Sequence, residues 1–193
     1  NPSNISLPPY YPDTSIVRKT LARFYDCVTA MDKEVGVILR QLEVDGLAEN
    51  TIVFFFSDHG SGIPRHKRAL LDSGMHVPLL VRLPKKWKHL ANTELGKSNN
   101  QLVSFVDFGP TILNLTGTRI PSHMQGKPFL GRNLPEKRSY VYGHRDRVDE
   151  VRDFSRSVRD KKYLYIRNYM PHLGYNQPTA WPDKGEIRHE FYK

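Results

Sequence analysis

The sequence is poor in cysteine and has no long hydrophobic run. Its single cysteine, Cys27, excludes an internal disulfide and a metal site built from several thiolates. The longest apolar run, Ile52–Phe56, is far too short to span a bilayer. The spacings typical of zinc fingers and RNA-binding motifs are missing, as is any long basic tract, and this disfavours a nucleic-acid-binding role.

The first residues, Asn1–Asn4, lack an initiating methionine and the basic and apolar regions of a signal peptide. Two explanations are open. Either a signal was removed, or the chain is a piece of a longer protein. We favour the second explanation because of the motifs described below.

Acidic residues are few relative to basic ones. Lys and Arg outnumber Asp and Glu by 29 to 20, which gives a formal charge of +9. Such an excess favours anionic partners: nucleic acid, an acidic membrane surface, or a sulfated or phosphorylated substrate. The basic residues are scattered, however, and we expect most of them to be solvated surface side chains.

Hydrophobic periodicity predicts a long helix that begins near Thr14 or Ser15 and ends before Gly46. We expect its apolar face to pack against a sheet; that face comprises Val17, Leu21, Phe24, Val28, Met31, Val35, Ile38 and Leu42. Continuous apolar runs predict buried strands at 51–56 and 77–83, as in parallel sheets covered on both faces. With a further helix predicted at about 107–114, the order of elements fits a layered α/β fold.

Beyond Gly117 the pattern changes to short strands, predicted around 139–142, 156–159 and 163–167. The Arg-Asp-Lys-Lys turn between the last two predicts an antiparallel hairpin. We therefore divide the chain into part of an α/β domain, residues 1–118, and a small C-terminal subdomain, residues 119–193.

Asp58 and His59 follow directly after the first predicted strand. Ligands gather at the carboxyl ends of strands in open α/β sheets, and an adjacent carboxylate and imidazole can face one cation. Gly60 would let the backbone bend tightly behind them. The pair suits Ca²⁺ or Mg²⁺, or Zn²⁺ where further imidazole ligands complete the site. A loop cap or surface turn is the alternative interpretation.

A second concentration of charge lies at Gly143–Glu150 and includes His144, Arg145 and Arg147. One interpretation is an exposed turn with local ion pairs. In the other, these three side chains line the mouth of a pocket and bind sugar hydroxyls, carboxylates or sulfates, for which the donor fork of arginine is suited.

Several ordered motifs, over about residues 10–170, resemble the sulfatase family. They are Phe54–Gly60, Pro64–Gly74 and Val77–Pro84, the segment Tyr25–Thr51 before them, and Val103–Thr111 and Met124–Lys127 after them.

The resemblance implies an alkaline-phosphatase-like α/β fold. In it, a mixed or parallel sheet flanked by helices is followed by a small α+β subdomain with a short antiparallel sheet. Residues 1–118 would be the C-terminal part of the catalytic domain. The resemblance also implies one divalent cation, usually Ca²⁺ with Mg²⁺ as the alternative, bound by two early carboxylates, a formylglycine nucleophile and a later pair that Asp58 and His59 match. Lys67 matches the family's sulfate-binding lysine, and Arg65 and Arg68 beside it either assist or are structural.

The family's nucleophile motif is missing from this sequence. Cys27–Met31 does not match its Cys(or Ser)-x-Pro/Ala-Ser/Ala-Arg pattern, and no other segment does. The early metal carboxylates are missing as well. We therefore expect the N-terminal half of the same enzyme to be a partner of this chain, and the chain alone to be inactive.

The expected reaction of the whole enzyme is hydrolysis of a sulfate ester or N-sulfate of a sulfated saccharide. The alternatives are a phosphodiesterase or phosphonate monoester hydrolase of the same superfamily, and a non-catalytic anion-binding sulfatase domain. Lys67 followed by Leu70–Gly74 disfavours the phosphodiesterase. The resemblance further implies an extracellular, periplasmic or lysosomal location.

Overall fold

The structure, a computed structural model, describes residues 1–174, 177–180 and 182–192. Its helices and strands are α1 (Ser15–Val44), β1 (Val53–Phe56), α2 (Asp72–Met75), β2 (Leu79–Arg82), α3 (Phe108–Leu115), β3 (Val141–Val148), β4 (Val151–Arg159), β5 (Leu164–Asn168) and α4 (Glu186–His189). Helices thus precede and follow two small sheets, in agreement with the predicted α/β class. None of the helices in the described ranges combines the length and apolar character needed to cross a membrane.

Helix α1 begins and ends at residues that the sequence predicts. At its start, the Thr14 hydroxyl accepts a hydrogen bond from the Val17 amide at 3.3 Å. At its end, Gly46 has a φ of 70°, and the Leu47 amide donates to the Leu42 carbonyl at 3.0 Å. These features form a Schellman motif, in which a glycine adopts the left-handed conformation and satisfies the last carbonyls of the helix.

The apolar face of α1 is buried only in its N-terminal half. Val17 and Leu21 pack with Tyr11 of the N-terminal segment and Ile187 of α4. The expectation that this face packs against a sheet is therefore wrong for its buried part, because the N-terminal segment and α4 occupy that position. Farther along the same face, Ile38 is 67% exposed.

Strands β1 and β2 pair antiparallel, with Val53 opposite Arg82 and Phe56 opposite Leu79. The parallel arrangement that the apolar runs suggested is not observed between these two strands, because an apolar run does not determine strand direction. Phe56 packs on Phe108 of α3, with ring centroids 4.9 Å apart. Burial on both faces is not observed, because Phe56 is 45% and Leu80 59% exposed.

Strands β3, β4 and β5 form an antiparallel sheet in that order, and the predicted hairpin is β4–β5. Strand β3 extends to Val148, so most of the charged segment is strand rather than the exposed turn considered above. A one-residue irregularity between Arg145 and Arg147 shifts the register against β4. Such a bulge changes the direction in which the following side chains point.

The two sheets are connected through the segment around α2. Arg159 of β4 donates two hydrogen bonds of 3.1 Å to the carboxylate of Asp72. A Cβ atom on Gly143 of β3 would overlap the Met75 and Ser157 side chains, so the absence of a side chain there permits close packing.

Asp107 connects the region before residue 118 to the region after it. Its buried carboxylate accepts hydrogen bonds from the Ser104 amide at 2.9 Å and the Lys127 amide at 2.7 Å, and it pairs with Arg138. The domain boundary at residue 118 stays a prediction, and side chains from both of its sides pack together here.

Candidate functional site

Asp58 and His59 lie on the loop that leaves β1. The Ser57 hydroxyl donates to the His59 carbonyl at 2.6 Å and thereby shapes this turn. Asp58 Oδ2 and His59 Nε2 are 3.4 Å apart, and the two side chains are 81% and 38% exposed. They therefore point to one common, solvent-accessible position.

Hydrogen bonding indicates which nitrogen of His59 is available to bind a cation. Nδ1 lies 2.7 Å from the Gly60 carbonyl oxygen, and because a carbonyl only accepts, Nδ1 carries the hydrogen. In the neutral ring, Nε2 is then an acceptor that faces the acceptor oxygen of Asp58. Two acceptors so close favour a cation or a proton between them, so this pair fits two positions of a divalent-metal shell.

The described residues supply only part of such a shell. Across 1–174, 177–180 and 182–192, no group of three or more His, Cys, Asp or Glu side chains is arranged to hold an ion. Complete sites need more ligands than two, so the remaining ones would have to come from outside the described chain.

The Asp58–His59 turn packs directly on the segment that follows the Lys67 loop. The Gly60 amide donates to the Gly74 carbonyl at 3.0 Å, and a Cβ atom on Gly60 would overlap the Ser73 carbonyl oxygen. Gly60 has no positive φ, so the sequence-based explanation for this glycine, a tight turn, is replaced by close backbone approach. The two motifs are thus in backbone contact.

Lys67 lies exposed between two residues in the left-handed conformation. Arg65 has a φ of 71° and Arg68 a φ of 69°, which is uncommon for residues other than glycine. Such a conformation costs about 1–2 kcal/mol per residue and persists only where neighbouring contacts maintain it. The Lys67 amide donates to the Ser61 carbonyl at 3.0 Å, and its ammonium makes no ion pair within the described part of the chain.

His66 is held by two hydroxyl groups. Its Nε2 lies 3.1 Å from the Tyr10 hydroxyl and its Nδ1 lies 2.7 Å from the Ser61 hydroxyl. Burial, together with the nearby Arg65 charge, lowers the pKa of His66 below its ordinary value. The ring thus bridges the N-terminal segment and the loop.

A cleft of about 450 Å³ lies beside Lys67. One wall is the loop around Gly62–Ala69, and the other is formed by β3, β4 and the C-terminal segment. Its basic lining residues are Arg65, Lys67, Arg68, Arg145, Lys184 and Arg188. Asp153 is the one acidic residue among the described lining residues. Three of these basic groups are ion-paired, Arg68 with Asp149, Arg145 with Asp153 and Arg188 with Asp183. The positive charge that remains suits an anionic ligand.

The structure brings only some of the predicted site residues together. Lys67 and Arg145 line the cleft, whereas Asp58 and His59 are not among its lining residues. His144 is exposed on the face of β3 opposite to Arg145, because neighbouring residues of a strand alternate.

Arg147 follows the bulge and is also exposed outside the cleft. The substrate-binding roles of His144, Arg145 and Arg147 stay predictions.

Sequence reasoning missed the acidic partners of these arginines. Arg145 pairs with Asp153, and Arg68 pairs with Asp149 in the turn between β3 and β4. It also missed Arg188, which is buried and donates to the Gln177 carbonyl at 2.8 Å. The alternation of charges along 143–153 was an available signal for the Arg145–Asp153 pair alone. Nothing local indicates the Arg68–Asp149 pair, and the C-terminal segment offers no periodicity that would reveal the contact of Arg188.

Comparison with known proteins finds that family models match both halves of the chain. Residues 5–118 match the family model described as Sulfatase, and residues 64–178 match the one described as N-sulphoglucosamine sulphohydrolase, C-terminal. An ulvan-active sulfatase of Formosa agariphila is 43% identical over 182 residues, which are 94% of this chain and 30% of the relative. The human N-sulphoglucosamine sulphohydrolase is 33% identical, and the alignment covers 100% of this chain and 43% of the human protein. The chain therefore spans less than half the length of these relatives.

Solved structures confirm the predicted fold. A Bacteroides fragilis protein described as a sulfatase superposes with a TM-score of 0.67 at 24% identity, covering 83% of this chain and 36% of that one. A second protein, solved in complex with its substrate D-glucosamine-2-N,6-O-disulfate, gives a TM-score of 0.58 at 24% identity, with 83% and 34% covered.

Proposed function

Because the chain belongs to the sulfatase family, we propose that it is the C-terminal part of an enzyme that hydrolyses a sulfate ester, or an N-sulfate, of a sulfated saccharide. The observation that carries this proposal is the exposed Lys67, whose loop packs through Gly60 and Gly74 against the Asp58–His59 turn. A saccharide substrate is supported by the names of relatives, an ulvan-active sulfatase, an N-sulphoglucosamine sulphohydrolase and an N-acetylglucosamine-6-O-sulfatase.

Lys67 would act as the group that binds the sulfate and stabilises its charge. A sulfate ester carries spread negative charge, and more develops on the leaving oxygen as the ester bond breaks. An ammonium group at that position stabilises this charge. The basic cleft beside Lys67 would receive the remainder of an anionic substrate, with Arg145 on its far wall.

Asp58 and His59 are proposed to hold a divalent cation, Ca²⁺ or alternatively Mg²⁺. Their fit to this role rests on the 3.4 Å separation of two acceptor atoms, Asp58 Oδ2 and His59 Nε2. When bound, such an ion supplies stabilisation of negative charge on the sulfate group. The other ligands and the formylglycine nucleophile would belong to the N-terminal half of the enzyme.

The N-terminal half is also the proposed partner for the open apolar surfaces. Ile38 on α1, Phe56 on β1 and Leu80 on β2 are 67%, 45% and 59% exposed. We propose that the N-terminal half covers these exposed apolar side chains, because exposed large apolar groups often mark a surface that packs against further polypeptide. An extracellular, periplasmic or lysosomal location stays a proposal based on the family.

The test uses the full-length protein from which this chain derives. It is assayed with 4-nitrophenyl sulfate, bis(4-nitrophenyl) phosphate and sulfated saccharides, and we expect sulfate release to exceed phosphodiester cleavage. Lys67→Ala should lower kcat/KM for sulfate esters by about 10²–10³-fold, the usual effect of removing one charge-stabilising donor.

The matched control is Lys161→Ala, which removes an exposed lysine from the turn between β4 and β5. Its kcat/KM should equal that of the wild type. Preference for the phosphodiester would favour the rival hydrolase. Binding of sulfated saccharide without turnover would favour a non-catalytic anion-binding domain.

A further inference from the structure

Lys67 is flanked by two residues that are held from outside their own loop. On one side, His66 bonds to the Tyr10 and Ser61 hydroxyls at 3.1 and 2.7 Å. On the other side, the Arg68 guanidinium pairs with Asp149, which lies in the turn between β3 and β4. The lysine thus has fixed neighbours, although its own side chain is exposed.

The hairpin of β3 and β4 contacts Arg68 at a second point. Arg145 of β3 donates from Nη1 to the Arg68 carbonyl at 3.1 Å. Arg145 is itself held by an ion pair with Asp153 of β4, and these two side chains are only 12% and 9% exposed. A carbonyl held by a buried arginine is a well-defined anchor for the backbone that follows Lys67.

The two contacts on Arg68 act on a residue whose backbone conformation is unusual. Arg68 has a φ of 69°, a conformation that a residue with a Cβ atom adopts only where its surroundings maintain it. One contact holds its side chain and the other its carbonyl, and both come from the same hairpin. Without them, the peptide after Lys67 would be released to a more favourable φ, and the ammonium would move with it.

We propose that Asp149 and Arg145 are positioning residues for Lys67, acting through Arg68. The β3–β4 hairpin thereby determines where the sulfate-binding ammonium lies. This inference rests on the proposed function only for the sulfate-binding role of Lys67. The contacts that link the hairpin to the Lys67 loop do not depend on that role.

The first test measures the loop directly, by amide hydrogen exchange of the full-length protein. The reporter amides are Lys67, bonded to the Ser61 carbonyl at 3.0 Å, and Ala69, bonded to the His66 carbonyl at 3.1 Å. Asp149→Asn should accelerate their exchange about tenfold or more, because the released loop opens more often. Asp149→Glu, which keeps the charge, should restore most of the protection.

Asp146→Asn is the matched control. Asp146 lies on the same hairpin and pairs with Arg156 at 2.5 Å, away from the cleft. This variant removes one ion pair of the hairpin without touching Arg68, so exchange at Lys67 and Ala69 should equal that of the wild type. Equal exchange in Asp149→Asn and the wild type, or equal acceleration in both variants, would overturn the proposal.

The second test is kinetic. In Asp149→Asn, kcat/KM for a sulfate ester should fall about 10–100-fold with a raised KM, since a displaced ammonium weakens sulfate binding as well as turnover. Partial loss of folded enzyme would lower kcat alone, and an unchanged KM with a lower kcat would contradict a positioning role. Absence of sulfatase activity in the wild type would refute the proposed function, whereas the exchange result would still decide the positioning role.

Discussion

At the scale of the residue, His66 shows how local burial shifts the pKa of a side chain next to the proposed sulfate-binding lysine. Its ring is enclosed by Tyr10, Tyr11 and Ser61, and burial lowers its pKa below the ordinary value. The unfolded chain therefore binds a proton at this position more tightly than the folded one. Proton binding favours unfolding, and the resulting loss of stability develops as the pH falls through the ordinary histidine range.

The corresponding prediction concerns stability against pH. The free energy of unfolding should decrease when the pH falls from 7.5 to about 5.5, a window above the titration of most carboxylates. His66→Gln should show a smaller decrease over this window, whereas His123→Gln, at an exposed position, should behave as the wild type. Urea unfolding at both pH values measures the difference. An equal decrease in the free energy of unfolding in His66→Gln and in the wild type would refute this explanation.

Single residues also show what could be inferred from sequence. Asp58 and His59 are candidates because they follow a strong apolar strand, and Lys67 because its motif resembles a known family; their roles stay predictions. The restraints on Gly60 and Arg68 were not predictable, since they come from Ser73 and Asp149, which are distant in sequence. A local pattern reports a residue's chemical type and not its neighbours across the fold.

At the scale of the element, α1 is defined by local signals but stabilised unevenly along its length. Its cap, its periodicity and the glycine after its end are all readable from the sequence, which is why its bounds were predicted closely. Which part of its face is buried depends on Tyr11 and Ile187, brought there by the tertiary fold. The direction of β1 against β2 and the extension of β3 to Val148 are likewise nonlocal outcomes of strand pairing.

The uneven burial of α1 predicts an uneven response to truncation of its side chains. Leu21 is 2% exposed in the core cluster, so Leu21→Ala should lower the free energy of unfolding by about 2–5 kcal/mol. Val44, on the same helix, is 81% exposed, and Val44→Ala should change it by less than about 0.5 kcal/mol. Chemical denaturation monitored by circular dichroism measures both values. Equal losses would contradict a core confined to the N-terminal half of α1.

At the scale of the whole molecule, the described chain carries the proposed sulfate-binding lysine without the remainder of a catalytic site. It supplies Lys67, a basic cleft and two proposed metal ligands, whereas no group of three or more ligating side chains is found within the described ranges. Several apolar side chains of β1, β2 and α1 remain open to solvent. Both features fit a unit that is completed by further polypeptide.

We therefore predict that the isolated 193-residue chain does not release sulfate from an aryl sulfate above the uncatalysed rate. The expected reason is the missing nucleophile, which the cleft cannot replace by charge stabilisation alone. The chain should be assayed with Ca²⁺ present, beside the full-length protein at equal concentration. Turnover by the isolated chain that is lost in Lys67→Ala would overturn the prediction.

The contact between Gly60 and the Ser73–Gly74 backbone has a consequence for protein engineering. The Ser73–Gly74 backbone occupies the space that a side chain on Gly60 would need, so the turn after β1 cannot be randomised or transplanted independently of that segment. A library that varies the turn after β1 must hold Gly60 constant, or else allow 70–74 to change with it. A grafted version of this site would need both segments to be transferred as one unit.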